Sequence, residues 1–183
     1  MVNLSTAGLM RFAGIDPGHK GAVALVDAVS GALVDVRRMP IWKRKLASGK
    51  VRALEDPVAL SHILREWNAD FYYLEDVNAF GMGATSAFSF GRGVGVILGV
   101  IGGVSGKVPT LASPQTWKGS MGLLLPKKPH VSEKQHKVAL KQLAIARAKK
   151  LFPTHADEME HDGCAEAALI ATYGVLQVRG LRP

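Results

Sequence analysis

Four acidic residues, Asp16, Glu75, Asp162 and Glu166, are the positions from which a chemistry can be read. Asp16 ends the apolar run Arg11 to Asp16 and is followed by Pro17 and Gly18, which stop a strand and leave the carboxylate at its tip. Taken alone it reads first as a turn aspartate, since Asp-Pro-Gly is a common turn sequence. Glu75 closes the run FYYLE, where an unpaired carboxylate carries a large desolvation cost unless it faces solvent or meets a cation. Asp76 follows, but alternation along a strand sends it to the opposite face, so only one of the two can join Asp16, and Glu75 is the choice. Asp162 and Glu166 are four apart and share a helix face, where like charges repel. A helix dipole accounts for an acid near the start of that helix, but not for Glu166 among alanines. A divalent metal does. Carboxylate oxygens from two strand ends and one helix suit Mg²⁺ or Mn²⁺ rather than zinc. Two such ions about 3.5–4 Å apart activate a water and steady the leaving oxygen in phosphodiester hydrolysis.

The elements that must position these acids follow from the apolar pattern. Arg11–Asp16, Gly21–Asp27 and Ala32–Arg38 are short runs divided by glycine turns, an antiparallel meander. The basic stretch Trp42 to Arg52 shows no periodicity and is expected to be a surface loop. Asp56-Pro57 opens a helix whose apolar residues Val58, Leu60, Ile63, Leu64 and Trp67 recur at helical spacing. A strand at Phe71–Glu75, a glycine-rich helix over Phe88–Val104, a strand at Val108–Leu111 and a short helix from Ser113-Pro114 through Lys118 come next. Gly119–Val131 is expected to be a mobile loop. Ser132 and Gln135 form a capping box before a basic helix, Glu133–Phe152, and a last helix runs over Glu158–Leu176. The order β-β-β-α-β-α-β-α-α predicts an α/β fold, a mixed five-stranded sheet of three antiparallel and then parallel strands flanked by helices.

Composition narrows the class of function. The formal charge of +8 and isoelectric point near 9.8 point to a polyanionic partner. One cysteine, Cys164, excludes an internal disulfide and a multi-cysteine zinc site. Met1–Met10 lacks the pattern of a secretory signal, and the longest apolar stretch, Gly93–Val104, reads as too short to span a bilayer. The expectation is a cytoplasmic protein without membrane contact, with a lead at 1–10, one domain over 11–176 and a tail at 177–183.

Four segments carry a resemblance: GIDPG…GA (Gly14 to Ala22), YYLED (Tyr72 to Asp76), Pro-x-x-Trp-Lys (Pro114 to Lys118) and HDGCAEAALIA (His161 to Ala171). Together they resemble RuvC-type Holliday-junction resolvases of the RNase H-like superfamily, in a phage or divergent branch, over nearly the whole chain. The resemblance implies Asp16, Glu75 and Glu166 as metal ligands. Glu166 departs from the more usual Asp, and Asp162 shares the fourth position with His161 as a back-up ligand or base. It implies Lys118 and Lys134 near the scissile phosphate, and Phe80, after the Glu75 strand, as a residue that stacks on or wedges into junction bases. Core packing is the plain alternative for Phe80. Lys118, Lys134, Lys137, Lys141, Arg147, Lys149 and Lys150 concentrate positive charge, with Lys134, Lys137 and Lys141 as DNA contacts and a solvated helix face as the plain alternative. The glycine-rich helix corresponds to a dimer interface in the family, so the expected partners are a DNA four-way junction and a second copy of the chain.

Three other readings stay open. Actin-like and sugar-kinase ATPases share the opening strand and hairpin but need a second domain, and no Walker-type phosphate loop is present, so no nucleotide cofactor is expected. The others are a non-catalytic junction-binding protein and an RNase H-like nuclease acting on other branched or hybrid substrates.

Overall fold

The computed structural model describes residues 10–79 and 81–180. Strands β1 (Arg11–Asp16), β2 (Ala22–Asp27) and β3 (Leu33–Arg38) form the expected antiparallel meander. Strand β6 (Phe71–Glu75) adds to β1 in parallel, and the short β7 (Thr110–Ala112) adds to β6 in parallel. The resulting five-stranded sheet has the order β3-β2-β1-β6-β7.

Trp42–Arg52 departs from the sequence expectation. It forms a two-stranded antiparallel hairpin, β4 (Ile41–Lys45) and β5 (Val51–Glu55), separate from the main sheet. Every residue of β4 is exposed. A ribbon with one strand wholly exposed and the other only part-buried has little reason to alternate apolar and polar residues, so its pairing leaves no periodic trace.

Helix α1 (Pro57–Trp67) starts as its cap predicts: the Asp56 carboxylate accepts from the Val58 and Ala59 amides. Helix α2 (Ala84–Ser105) begins four residues before the expected Phe88 and is 22 residues long. It extends the apolar stretch Gly93–Val104 into a helix that is long and apolar enough to cross a membrane by length and composition, with a mean hydropathy of 1.6. Its Gly93, Ile97 and Ile101 are nonetheless buried against the protein. Helix α3 (Pro114–Ser120) is capped by Ser113, and α4 (Glu133–Leu151) by the Ser132–Gln135 box, with both reciprocal bonds present. Helix α5 (Asp162–Val178) starts four residues later than Glu158 and ends beyond Leu176. Two single 3-10 turns, Pro153–His155 and Glu158–Glu160, precede it, and extended His161 separates the second from the helix.

Alternation along the central strands sorts their side chains between two cores. Ala13, Ile15, Val23, Leu25 and Leu74 face α1 and α2, packing with Leu60, Leu64, Trp67, Ile97 and Ile101. Phe12, Ala24, Val26 and Tyr73 face the alanine-rich helix α5 and, behind it, α4. Gly14 sits where α5 crosses β1. A Cβ there would lie 2.2 Å from the Ala167 carbonyl oxygen, so the helix reaches the sheet only over a bare backbone. This close approach is what carries the start of α5 to the carboxyl ends of β1 and β6.

Candidate metal centre

The register of the two central strands brings the first two acids together. Ile15 pairs with Leu74, so the next residues, Asp16 and Glu75, end neighbouring parallel strands. Period two places Asp16 on the face of Phe12 and Gly14, and Glu75 on the face of Tyr73, which is the α5 face. Glu166, one turn into α5, meets them there. Oxygens of Asp16, Glu75 and Glu166 all lie within 4.8 Å of one another. Asp76 is exposed and its amide is tied to the Ala112 carbonyl, so it stands apart from this trio.

Glu75 is 5% exposed and is held from two sides. The Trp117 indole Nε1–H donates to its Oε1 at 3.0 Å, and the Lys118 ammonium lies 3.6 Å from the same oxygen. Lys118 also reaches Glu166 Oε1 at 3.2 Å and sits over the Trp117 ring, 4.9 Å from its centroid. Trp117, fully buried, therefore anchors α3 and aims Lys118 into the acids. Burial pushes the Asp16 carboxyl well above the ordinary range, and the charges of Glu166 and Glu75 add to that. Burial also raises Glu75, against the opposing pull of Lys118. Of the three carboxylates, Glu75 and Glu166 share the Lys118 ammonium as their ion-pair partner.

Asp162 lies at the rim of the same cleft, an open space of about 480 Å³ lined by Asp16, Lys20, Lys141, Asp162 and Glu166 among others. Among the described residues it belongs to no three-acid cluster, and it is ion-paired with Lys141. Burial acts to raise its pKa, but the Lys141 hydrogen bond and charge and the Gly163 amide hold it below the usual value. His161 points elsewhere. Its Nδ1 accepts from the Cys164 amide at 3.4 Å as the cap of α5, and it lines a separate cavity with Arg38, Glu158 and Glu160. That placement takes its ring away from the acid trio. Burial pushes the Cys164 thiol up to about 11, so it stays protonated at neutral pH.

Among the expected DNA contacts, Lys118 and Lys141 line the acid site. Lys137 and Lys134 are exposed, one and two turns before Lys141 at spacings that share a face of α4. Lys149 is engaged with Glu160 at 3.2 Å. Phe80 lies outside the described residues; Phe88 is 71% exposed on α2. Sequence reasoning did not single out Trp117 as a partner of Glu75, or the pair formed by His19 Nε2 and Glu55 Oε1 at 3.2 Å. The Trp-Lys step in Pro114–Lys118 carried the first signal; the second rests on the unforeseen hairpin.

The donor set fits a divalent cation. Its oxygens converge from strand ends and a helix, which suits Mg²⁺ or Mn²⁺, and a cation there would offset both the burial and the mutual repulsion that raise Asp16 and Glu75.

No family model matches the chain, and no curated protein matches it. Solved structures do. The chain aligns with Thermus thermophilus RuvC in complex with a Holliday junction substrate at a TM-score of 0.57 and 14% identity, covering 93% of this chain and 96% of the other. A second Thermus thermophilus RuvC structure matches at a TM-score of 0.50 and 14% identity, over 93% and 97% of the two chains. The fold is therefore that of RuvC, within the RNase H-like architecture expected from the order of elements.

Proposed function

We propose that this protein is a metal-dependent endonuclease that resolves four-way DNA junctions by paired phosphodiester hydrolysis. The observation that carries the reading is the convergence of Asp16, Glu75 and Glu166 within 4.8 Å, beside Lys118, at the carboxyl ends of the two central strands. The RuvC fold and the net charge of +8 support it. A solved relative in fold is a RuvC bound to a Holliday junction substrate.

Asp16, Glu75 and Glu166 would hold the metal, with Asp162 completing a second position once Lys141 turns from it to a phosphate. Bound Mg²⁺ or Mn²⁺, one ion or two, would supply a polarised water and a counter-charge for the leaving oxygen. Trp117 holds the Glu75 carboxylate in place by its hydrogen bond to Oε1. Lys118, once the acids are neutralised, is free to stabilise charge developing on the phosphoryl oxygens. Attack of water at phosphorus breaks the bond to the 3′ oxygen, which takes up a proton, leaving 5′-phosphate and 3′-hydroxyl ends. A homodimer would present two such sites to a two-fold junction. The largely uncovered apolar surface of α2, with Phe88, Leu98 and several glycines exposed, supports that assembly.

The test incubates the full chain with a synthetic four-way junction, linear duplex, flap DNA and RNA–DNA hybrid, with Mg²⁺ or EDTA. Symmetric nicking of the junction is expected with Mg²⁺ alone, falling about 1,000-fold or more in Asp16→Asn and Glu75→Gln. Undiminished cleavage in both variants sinks the reading. Cleavage of flap or hybrid without the junction would assign the same chemistry to another substrate.

A further inference from the structure

The β4–β5 hairpin carries a concentration of charge that the acid site does not use. Lys43, Arg44, Lys45, Lys50 and Arg52 lie within its strands and turn, and no Asp or Glu occurs between Val36 and Leu54. Among the described residues none of the five has an acidic partner; Arg52 is half-buried and the other four are exposed. The pairing register sets Arg44 directly opposite Arg52 and Trp42 opposite Leu54, so all four share one face. Like charges directly opposed across two strands destabilise a ribbon unless an anion lies between them. On the same face Trp42 is 42% exposed, backed by half-buried Leu54. Lysines that blunt an exposed strand edge are an ordinary protection against aggregation. That protection does not require opposed arginines beside an exposed tryptophan.

The ribbon is rooted at the acid cleft. The Met39 amide donates to the Gly21 carbonyl and the Asp56 amide to the Pro40 carbonyl, both at 2.9 Å, closing the base of the hairpin. Glu55, 4% exposed, ends β5 and takes the His19 Nε2 contact at 3.2 Å, and His19 lines the cleft with Asp16 and Glu166. Gly93 of α2 leaves room for that carboxylate, since a Cβ there would lie 2.4 Å from Glu55 Oε1. From this fixed base the five-residue strands extend about 17 Å.

We propose that the β4–β5 hairpin is a DNA-gripping ribbon that enters the major groove of a duplex arm beside the acid cleft, with Arg44 and Arg52 on phosphates and Trp42 packed on the groove wall. The inference rests on the nuclease reading for its partner and on the hairpin alone for its site. A two-stranded ribbon matches the width of the major groove, about 12 Å. A planar guanidinium recognises phosphate in two-pronged fashion.

The test measures binding of the full chain carrying Asp16→Asn, in Mg²⁺, to a four-way junction, a linear duplex and a single strand across a salt series. Adding Arg44→Gln and Arg52→Gln is expected to weaken junction and duplex binding about ten-fold near 0.1 M salt and to reduce the slope of log K against log[salt] by roughly 1.8, two phosphates' worth. Single-strand binding should not change. Arg44→Lys with Arg52→Lys should restore the slope, whereas Trp42→Ala should weaken duplex binding with the slope unchanged. Melting temperatures check that each variant folds. Unaltered affinity and slope in the double glutamine variant overturn the hairpin's role and leave the nuclease reading standing, as does an equal loss on single strands. A parent chain that binds none of the three DNAs overturns both.

Discussion

The charge state of a few carboxylates governs what this site can hold. Asp16 and Glu75 have pKa values raised chiefly by burial, so the folded protein keeps protons there at a pH where the unfolded chain has lost them. The stability of that neutral form is present below the ordinary carboxylate range and is lost as pH rises through the raised values. Metal-free protein is therefore expected to melt at lower temperature near pH 8 than near about pH 5, and Mg²⁺ to raise the melting temperature most at the alkaline end. Asp16→Asn should flatten both trends. Asp162 works the other way: its lowered value adds stability above the ordinary range that disappears as pH falls through it. A second residue-scale expectation concerns Trp117, whose indole is a hydrogen-bond donor to buried Glu75. Trp117→Phe keeps an aromatic ring but removes the donor and leaves a small cavity, at a stability cost of about 1–3 kcal/mol. On the proposed nuclease reading, nicking should slow roughly ten-fold, with little change in DNA affinity.

At the scale of elements, the site depends on how closely α5 lies on β1. Gly14→Ala places a methyl group 2.2 Å from the Ala167 carbonyl oxygen, and backbone on both sides leaves nothing flexible to yield. A loss of about 3 kcal/mol is expected, or a fall of roughly 6–12 °C in melting temperature. The displaced α5 would also carry Glu166 from Asp16 and Glu75, so Mg²⁺ should stabilise the variant less than the parent. Helix α2, on the opposite face of the sheet, has a different character. Only 17% of its most apolar window is buried, leaving Phe88 and Leu98 outward. If α2 joins two copies as proposed, Phe88→Glu with Leu98→Glu is expected to give a monomer in sedimentation velocity where the parent is a dimer, with the acid site unchanged in its Mg²⁺ response.

For the whole molecule, the proposed junction resolution would need two sites acting on one junction. If α2 joins two copies, the double glutamate variant should nick single strands of a junction but lose simultaneous, symmetric cuts. A supercoiled plasmid with an extruded cruciform would report this as nicked circles in place of linear product. Persistence of linear product with a monomeric variant would separate cleavage from assembly.

The sequence by itself determined the meander, the parallel strands after it, the caps of α1 and α4, and the candidacy of Asp16, Glu75 and Glu166. These are legible because a buried strand or a capped helix imposes a period or a terminal residue on its own segment. Proximity between segments leaves no such mark. Only the tertiary structure decided that Asp162 pairs with Lys141 at the rim, that His161 caps α5 facing another cavity, and that Trp117 and Lys118 flank Glu75. It also decided that Trp42–Arg52 is a paired ribbon, because cross-strand hydrogen bonding in an exposed hairpin is indifferent to which side chains face water. The acids were found in the sequence for a local reason, their place at the ends of apolar runs. Their convergence within 4.8 Å follows from the β1–β6 register and the bare backbone at Gly14 that lets α5 approach.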